Sequence, residues 1–203
     1  LRYPMKSINS GCPVCGNPSV NNFFNAGSQS LATQVWAESS RKAKESKRYK
    51  QDYVQCLNCN HVWNHLFNWE DIPYTNKPNK MFNNGKSWKL YLKQITESLI
   101  KFLPSSPTIV EIGCGNGSFI DGIANVYKNN GHFLGFDPSS EASDETNSFE
   151  FHQRLFDPTK DVIKYKPDLI IMRHIIEHLN SPNAFLQSLS WASYLNQLSI
   201  YLF

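Results

Sequence analysis

The chain has 203 residues and a mass of 23.3 kDa, enough for one large domain or for a medium domain with a small one attached. With 40% hydrophobic and 18% charged residues, it fits neither a disordered protein nor a membrane-spanning one. No apolar run reaches the roughly 18–20 residues of a membrane helix, and the first residues lack the pattern of a secretory leader. The net charge of +3 does not require a nucleic-acid partner, and we expect a cytoplasmic protein.

Four of the five cysteines form two C-x-x-C pairs, which are Cys12 with Cys15 and Cys56 with Cys59. Each pair holds two sulfur atoms on one short turn, at the separation that a tetrahedral thiolate site requires. Gly16 and Asn60 follow the pairs, and both residue types tolerate the left-handed backbone that suits this turn. The 40 residues between the pairs exceed the usual 15–20 of a compact ribbon, so this spacer must carry structure or a long loop of its own.

Structural zinc bound by the four thiolates is the interpretation that this pattern favours. Disulfides are one alternative, and they would need an oxidising compartment, to which nothing in the sequence points. A redox C-x-x-C is another, and it would need only one pair in a βαβ context. His61 and His65 lie nearby, but the cysteine set is already complete, so we interpret them as surface or packing residues.

The spacer contains a basic run over residues 41–50, with six basic residues and one acidic residue. Such a run beside a zinc ribbon can neutralise phosphates of a nucleic acid. No set of aromatic residues interleaves with the charges, and the favoured interpretation is a solvated helix face or loop. We therefore do not expect a nucleic-acid partner.

From residue 86 onward the pattern predicts alternating helices and strands. Apolar residues at steps of three and four predict an amphipathic helix that Pro104 ends. Strands are predicted over 108–112, 132–136, 149–156, 168–172 and 198–203, with helices over 118–128 and from Ser181-Pro182 onward. The alternation predicts a doubly wound α/β fold with a parallel sheet and a ligand outside the carboxyl ends of the strands. The chain stops in the apolar run 198–203, so we expect a self-associating fragment, whose oligomeric state the sequence leaves open.

A glycine-rich loop follows the first of these strands, and it has the form E-x-G-x-G-x-G with Glu111, Gly113, Gly115 and Gly117. A dinucleotide fingerprint would need glycine at position 118, where the chain has serine, and the absence of Gly-Lys-Ser/Thr excludes a triphosphate loop. Glycines let the backbone approach a ligand, and the helix N-terminus that follows favours a carboxylate. Asp137, at the tip of the next strand, can accept hydrogen bonds from both hydroxyls of a ribose.

These motifs resemble those of the class I S-adenosylmethionine-dependent methyltransferases. The loop is similar to their first motif, Gly135-Phe136-Asp137-Pro138 to their ribose-binding segment, and residues 168–179 to their fourth-strand motif with its Glu-His-Leu ending. The resemblance implies a Rossmann-like fold, S-adenosylmethionine as cofactor, and Phe156 and Asp157 close to its adenine. It also implies that Cys114, inside the loop, is a packing residue.

The four-cysteine module ahead of this domain resembles that of the sugar C-methyltransferases of deoxysugar and surface-polysaccharide pathways. Residues 29–32 and 59–63 are similar to stretches of that family's zinc-binding domain. The resemblance implies a nucleotide-linked 4-keto hexose as the small-molecule acceptor. It also implies a base that forms an enolate, which then takes the methyl group. His178 is similar to the family's active-site histidine, and Tyr74 to its tyrosine between the two domains; His174 is the other histidine after the fourth strand.

We therefore predict a zinc-binding domain over residues 1–72, a linker with a leading helix over 73–107, and an incomplete methyltransferase domain over 108–203. Two other functions stay open at this point. In one, the ribbon and the basic run deliver an RNA base to the same chemistry, and its binding would weaken steeply with salt. In the other, the domain binds the cofactor without turnover.

Overall fold

A computed structural model of the protein describes residues 5–7, 11–30, 37, 39–71, 85–139 and 148–196. The chain divides into two compact units, one of residues 1–73 with 179–184 and the other of residues 74–178 with 185–203. None of the helices within the described ranges has the length and apolar character that crossing a membrane requires. Tyr74 and the predicted strand over 198–203 lie outside the described residues, as do Leu31 and Ala32 of the stretch 29–32.

The first unit is built on an antiparallel sheet of four strands in sequence order, β1 (Met5–Ser7), β2 (Ser19–Ser30), β3 (Arg48–Cys56) and β4 (Val62–Asn64). The register between β2 and β3 shifts at two places, and such bulges increase the twist of a strand pair. Helix α1 (Ser40–Glu45) lies in the connection between β2 and β3. The spacer between the cysteine pairs therefore carries β2, α1 and most of β3, as its length led us to expect.

The basic run coincides with α1 and the start of β3. Ser39 caps α1, because its side chain accepts a hydrogen bond from the backbone N–H of Lys42 at 3.2 Å. The six basic residues of the run are exposed. Lys47 forms an ion pair with Asp71 at 3.2 Å, between Nζ and Oδ1. The prediction of a solvated helix face is confirmed for the residues of α1, whereas Arg48 and Lys50 are exposed residues of β3 and not of a helix or loop.

The second unit contains a parallel sheet of four strands, β5 (Thr108–Ile112), β6 (His132–Phe136), β7 (Glu150–His152) and β8 (Leu169–Met172). Their order is β7-β6-β5-β8, and all pairs are parallel. The chain runs from β5 outward to β6 and β7 and then returns to place β8 on the other side of β5. The carboxyl ends of β5 and β8 thus form the switch point at which ligands bind to such sheets. The prediction of an α/β fold with a doubly wound parallel sheet is confirmed.

The helices of the second half are α2 (Lys86–Leu99), α3 (Ser118–Val126), α4 (Pro158–Tyr165) and α5 (Pro182–Asn196). Buried residues of α3, with Leu99 of α2, pack on the sheet residues Ile109 and Phe133 and form the core. Helix α4 lies where the sequence analysis predicted no helix, although Asp157-Pro158 is a strong start signal.

Phe102 and Leu195 continue the three- and four-residue apolar spacing that predicts α2 and α5, but both lie on the surface. Phe102 is 73% exposed, because it falls in a 3₁₀ turn over Ile100–Phe102 in which the helical period of α2 has ended. Leu195 is 58% exposed, since it lies six residues after the buried Leu189 and thus about 120° around the helix.

Candidate cofactor site and metal centre

The glycine loop leaves the carboxyl end of β5 and enters α3 directly. The backbone N–H of Gly113 donates to the carbonyl oxygen of Phe136 at 2.7 Å, which ties the loop to the end of β6. Gly113 and Gly117 have φ angles of +70° and +74°. A Cβ atom at Gly113 would lie 2.0 Å from Cδ1 of Ile175, and one at Gly117 would lie 2.1 Å from Cζ of Phe149. Both the backbone angles and the close contacts therefore require glycine.

Asp137 follows β6 with its carboxylate against this loop. Oδ2 accepts a hydrogen bond from the backbone N–H of Gly115 at 2.9 Å. Oδ1 accepts from the backbone N–H and the hydroxyl of Ser139 at 2.8 and 2.6 Å. A carboxylate offers about four acceptor positions, so a further donor, such as a ribose hydroxyl, can still be accepted. The carboxylate is thus held in a fixed orientation at the carboxyl ends of the strands.

Glu111 is the last residue but one of β5, and it is fully buried. Oε1 accepts from Nε and Nη2 of Arg173 at 3.0 and 2.7 Å, and Oε2 accepts from the backbone N–H of Ile120 at 3.2 Å. The guanidinium of Arg173 also lies over the Phe119 ring, 4.1 Å from its centroid. Burial raises the pKa of Glu111, and the positive charge of Arg173 opposes that shift. Glu111 therefore joins the ends of β5 and β8 to the first turn of α3, beneath the loop.

Phe156 and Asp157 lie after β7, on the same edge of the sheet. The ring of Phe156 is buried and packs edge-on against Phe136, with 5.1 Å between centroids. Asp157 caps α4, because Oδ1 accepts from the hydroxyl and the backbone N–H of Thr159 at 2.6 and 3.0 Å. The hydrogen bond from the Thr159 side chain is the largest of the effects that lower the pKa of Asp157 to about 2. One carboxylate oxygen of Asp157, the predicted neighbour of the adenine, is thus already engaged in capping α4.

Both histidines after β8 lie on this edge as well. His174 has a left-handed backbone with φ of +55°, and its ring centroid is 6.3 Å from that of Trp88. Nδ1 of His174 lies 3.5 Å from Oε1 of Glu177. His178 is half-buried at the end of a short 3₁₀ turn, and its backbone N–H donates to the carbonyl of Ile175 at 2.9 Å. No local sequence pattern marks Trp88 as a neighbour of the site, because it lies 86 positions before His174.

The four paired cysteines of the first unit come together. Their sulfur atoms all lie within 4.8 Å of one another, and the Cys12–Cys59 and Cys15–Cys56 sulfur distances are both 3.6 Å. Four thiolates around a tetrahedral zinc ion would lie about 3.8 Å apart, so the arrangement fits that metal. All four are free thiols rather than disulfides. Burial raises the pKa of Cys12 to about 12, whereas a hydrogen bond with the Asn58 side chain helps to lower that of Cys15 to about 6.

The two cysteine turns have the same backbone geometry. Gly16 and Asn60 have φ angles of +75° and +61°, which confirms the left-handed conformation predicted for both. The nearby histidines have other partners. Nε2 of His65 lies 2.9 Å from a carboxylate oxygen of Asp52, and the His61 ring stacks on Trp63 with 5.5 Å between centroids. Their interpretation as packing residues is therefore confirmed.

Comparison with known proteins gives one result that bears on the second unit. A family model described as a methyltransferase domain matches residues 86–194. The match starts with α2 and reaches into α5, so it includes the glycine loop, Asp137 and both histidines after β8, and it covers more than half of the chain. None of the curated proteins matches the chain significantly.

Proposed function

The chain belongs to the methyltransferase-domain family, and we propose that its methyl acceptor is a carbon atom of a nucleotide-linked keto-sugar or a related glycan precursor. The family is one of S-adenosylmethionine-dependent transferases. The observation that carries the proposed site is the carboxylate of Asp137, which the Gly115 amide holds at 2.9 Å where the ends of β5 and β6 meet.

The residues of this edge fit the parts of S-adenosylmethionine. We assign the ribose to Asp137, the amino-acid part to the backbone of the loop Gly113–Gly117 beside the N-terminus of α3, and the adenine to the segment with Phe156 and Asp157. When bound, this cofactor supplies a methyl group on a positively charged sulfur atom. Glu111 has its charge compensated by Arg173 at 2.7 Å, so we assign it the support of the loop.

The acceptor assignment is supported by the four-cysteine module that precedes the transferase domain in the chain. A four-cysteine module with the geometry for zinc occupies the first unit, and this arrangement is similar to that of the sugar C-methyltransferases. Methyl transfer to carbon needs an enolate, because a carbon beside a ketone becomes nucleophilic only after it loses a proton. Titratable side chains that could take this proton are present after β8, where we place the acceptor, and Tyr74 is a further candidate. The zinc ion has a structural role in this proposal.

Calorimetry with S-adenosylhomocysteine tests the site. Asp137→Ala removes charge-assisted hydrogen bonds, which should cost about 2–4 kcal/mol of binding, or roughly 30- to 1,000-fold in Kd. Asp71→Ala is the matched control, because this aspartate pairs with Lys47 in the first unit, and we expect its affinity to equal that of the unsubstituted chain. An unchanged affinity in Asp137→Ala would contradict the assignment of the ribose.

A further inference from the structure

We infer that His174 is the base that takes the proton from the acceptor, with Glu177 orienting its ring and Trp88 forming the wall against which the acceptor packs. The inference rests on the proposed keto-sugar function. It concerns residues that all lie in the second unit, within the segment that follows β8 and at the start of α2.

The segment after β8 is packed onto the cofactor loop. The side chain of Ile175 occupies the space above Gly113 so closely that a Cβ atom there would lie 2.0 Å from its Cδ1 atom. His174 is the residue immediately before this contact, and it follows the buried end of β8 by two positions. His174 therefore lies at the switch point of the sheet, beside the loop to which we assign the cofactor.

The backbone of His174 is in a conformation that costs energy. Among the described residues, five other than glycine have positive φ angles, and four of these lie in turns or at helix ends: Asn60, Lys128, Asn129 and Lys166. His174, at +55°, lies in the bend between β8 and the 3₁₀ turn Ile176–His178. A left-handed non-glycine residue costs of order 1–2 kcal/mol, and such strain concentrates at functional sites.

The side chain has the partners that a base needs. Nδ1 of His174 lies 3.5 Å from Oε1 of Glu177, and a carboxylate beside one ring nitrogen favours the proton on that nitrogen. The other nitrogen, Nε2, then carries the lone pair. Such contacts are often long before a ligand is bound. The side chain is 48% exposed, so a substrate can reach it.

One aromatic ring borders this histidine, and a second ring packs against the first. The Trp88 ring lies 6.3 Å from His174 and 5.4 Å from Tyr91, between centroids. Aromatic side chains are frequent in the walls of small-molecule sites, where their faces pack against the apolar parts of a ligand. The C–H face of a hexose ring is such a surface, and this wall would place it next to the base.

The proposed step is a proton transfer. The C–H bond beside the ketone breaks, its proton moves to Nε2 of His174, and its electron pair forms a carbon–carbon double bond. The carbonyl π electrons move to oxygen, which gives the enolate. His174 becomes an imidazolium that the carboxylate of Glu177 stabilises, and it later releases the proton to solvent.

Hydrogen–deuterium exchange at the sugar carbon tests this step without methyl transfer. The full-length protein is saturated with S-adenosylhomocysteine in D₂O, a nucleoside-diphosphate 4-keto-6-deoxyhexose is added as the probe, and exchange beside the ketone is followed by NMR. His174→Gln should slow exchange by about 10²–10⁴, and Glu177→Gln by about 10-fold. Both should bind S-adenosylhomocysteine like the unsubstituted chain, which shows that they are folded. His132→Gln is the matched control, because His132 is exposed and lies at the opposite end of β6. Exchange of the probe should be normal in this variant.

The same assay tests whether Trp88 forms a wall for the acceptor. Trp88→Leu should raise the probe concentration needed for half-maximal exchange by about 10-fold, with little change in the maximal rate. Trp191→Leu is the matched control, because this tryptophan is 66% exposed on α5. An equal effect of the two substitutions would contradict the wall.

Three results would overturn different parts of the account. A chain that does not bind S-adenosylhomocysteine contradicts the proposed cofactor site. A chain that binds it but exchanges no proton from the probe contradicts the keto-sugar assignment and the inference with it. Normal exchange in His174→Gln, with exchange lost in His178→Gln, contradicts the inference alone and gives the role of base to His178.

Discussion

Removal of Arg173 is expected to destabilise the second unit strongly. In Arg173→Met the Glu111 carboxylate stays fully buried but loses two hydrogen bonds from the guanidinium, at 3.0 and 2.7 Å. Breaking a buried ion pair by removing one partner costs about 3–5 kcal/mol, because an uncompensated charge remains. The Arg173 side chain is 22% exposed, so some water already reaches it, and we expect about 3 kcal/mol.

The pH dependence of this loss has a defined sign. Burial raises the pKa of Glu111 in the folded state, and Arg173 opposes the shift, so the substitution raises that pKa further. The pKa of this carboxyl group is about 4.3 in the unfolded state and higher in the folded state. The folded state therefore loses stability as the pH rises from the unfolded-state pKa through the folded-state pKa. The deficit of Arg173→Met should therefore be small near pH 4.5 and larger at pH 8. The double variant Glu111→Gln/Arg173→Met should recover part of it, since no buried charge remains.

Amide hydrogen exchange of β5, followed by mass spectrometry, measures these differences within the second unit. Arg41→Met is the matched control, because Arg41 is exposed and pairs only weakly with Glu45, at 4.0 Å, and it should leave the β5 amides unchanged. Arg173→Met protection equal to that of the control would refute the reasoning. So would a deficit that is the same at both pH values and in the double variant.

The other predictions concern the metal, the loop and the partner. Metal analysis should find about one zinc ion per chain, with most of it lost in Cys56→Ser and retained in Cys114→Ala; retention in both would contradict the four-cysteine site. Gly117→Ala should lower S-adenosylhomocysteine affinity by at least about 10-fold, since its Cβ atom would meet the Phe149 ring at 2.1 Å. Gly122→Ala in α3, where nothing lies within 4 Å, should leave affinity unchanged; equal affinities would contradict the loop geometry. Binding of a keto-sugar nucleotide should change little between 50 and 200 mM salt, whereas a steep fall, of about 10³–10⁵ for a multi-phosphate contact, would indicate a nucleic-acid partner.

The parts of the fold that could be predicted from the sequence are those coded by neighbouring residues. The apolar runs of β5 and β8 and the spacing of glycines between β5 and α3 are local signals, and so is each C-x-x-C pair. The sulfur cluster also followed, because two complete C-x-x-C pairs present the four thiolates of a structural zinc site.

The parts that escaped prediction depend on contacts between distant segments. Glu111 was assigned to the cofactor from its place in the motif, and nothing in the sequence pairs it with Arg173, which lies 62 positions later. The sequence pattern predicts Trp88 only as one apolar position of an amphipathic helix. The packing of α2 is what brings it to His174. The resemblance predicts Asp157 to be an adenine neighbour, whereas its role in capping α4 is predictable from the proline that follows it.

The most direct test of the account is the product of the complete reaction. The full-length protein is incubated with S-adenosylmethionine carrying a ¹³C-labelled methyl group and a nucleoside-diphosphate 4-keto-6-deoxyhexose, and the sugar is analysed by NMR. The account predicts one labelled methyl group bonded to the carbon beside the ketone. A label bonded to oxygen or nitrogen, or no label in the sugar although S-adenosylhomocysteine binds, would contradict it.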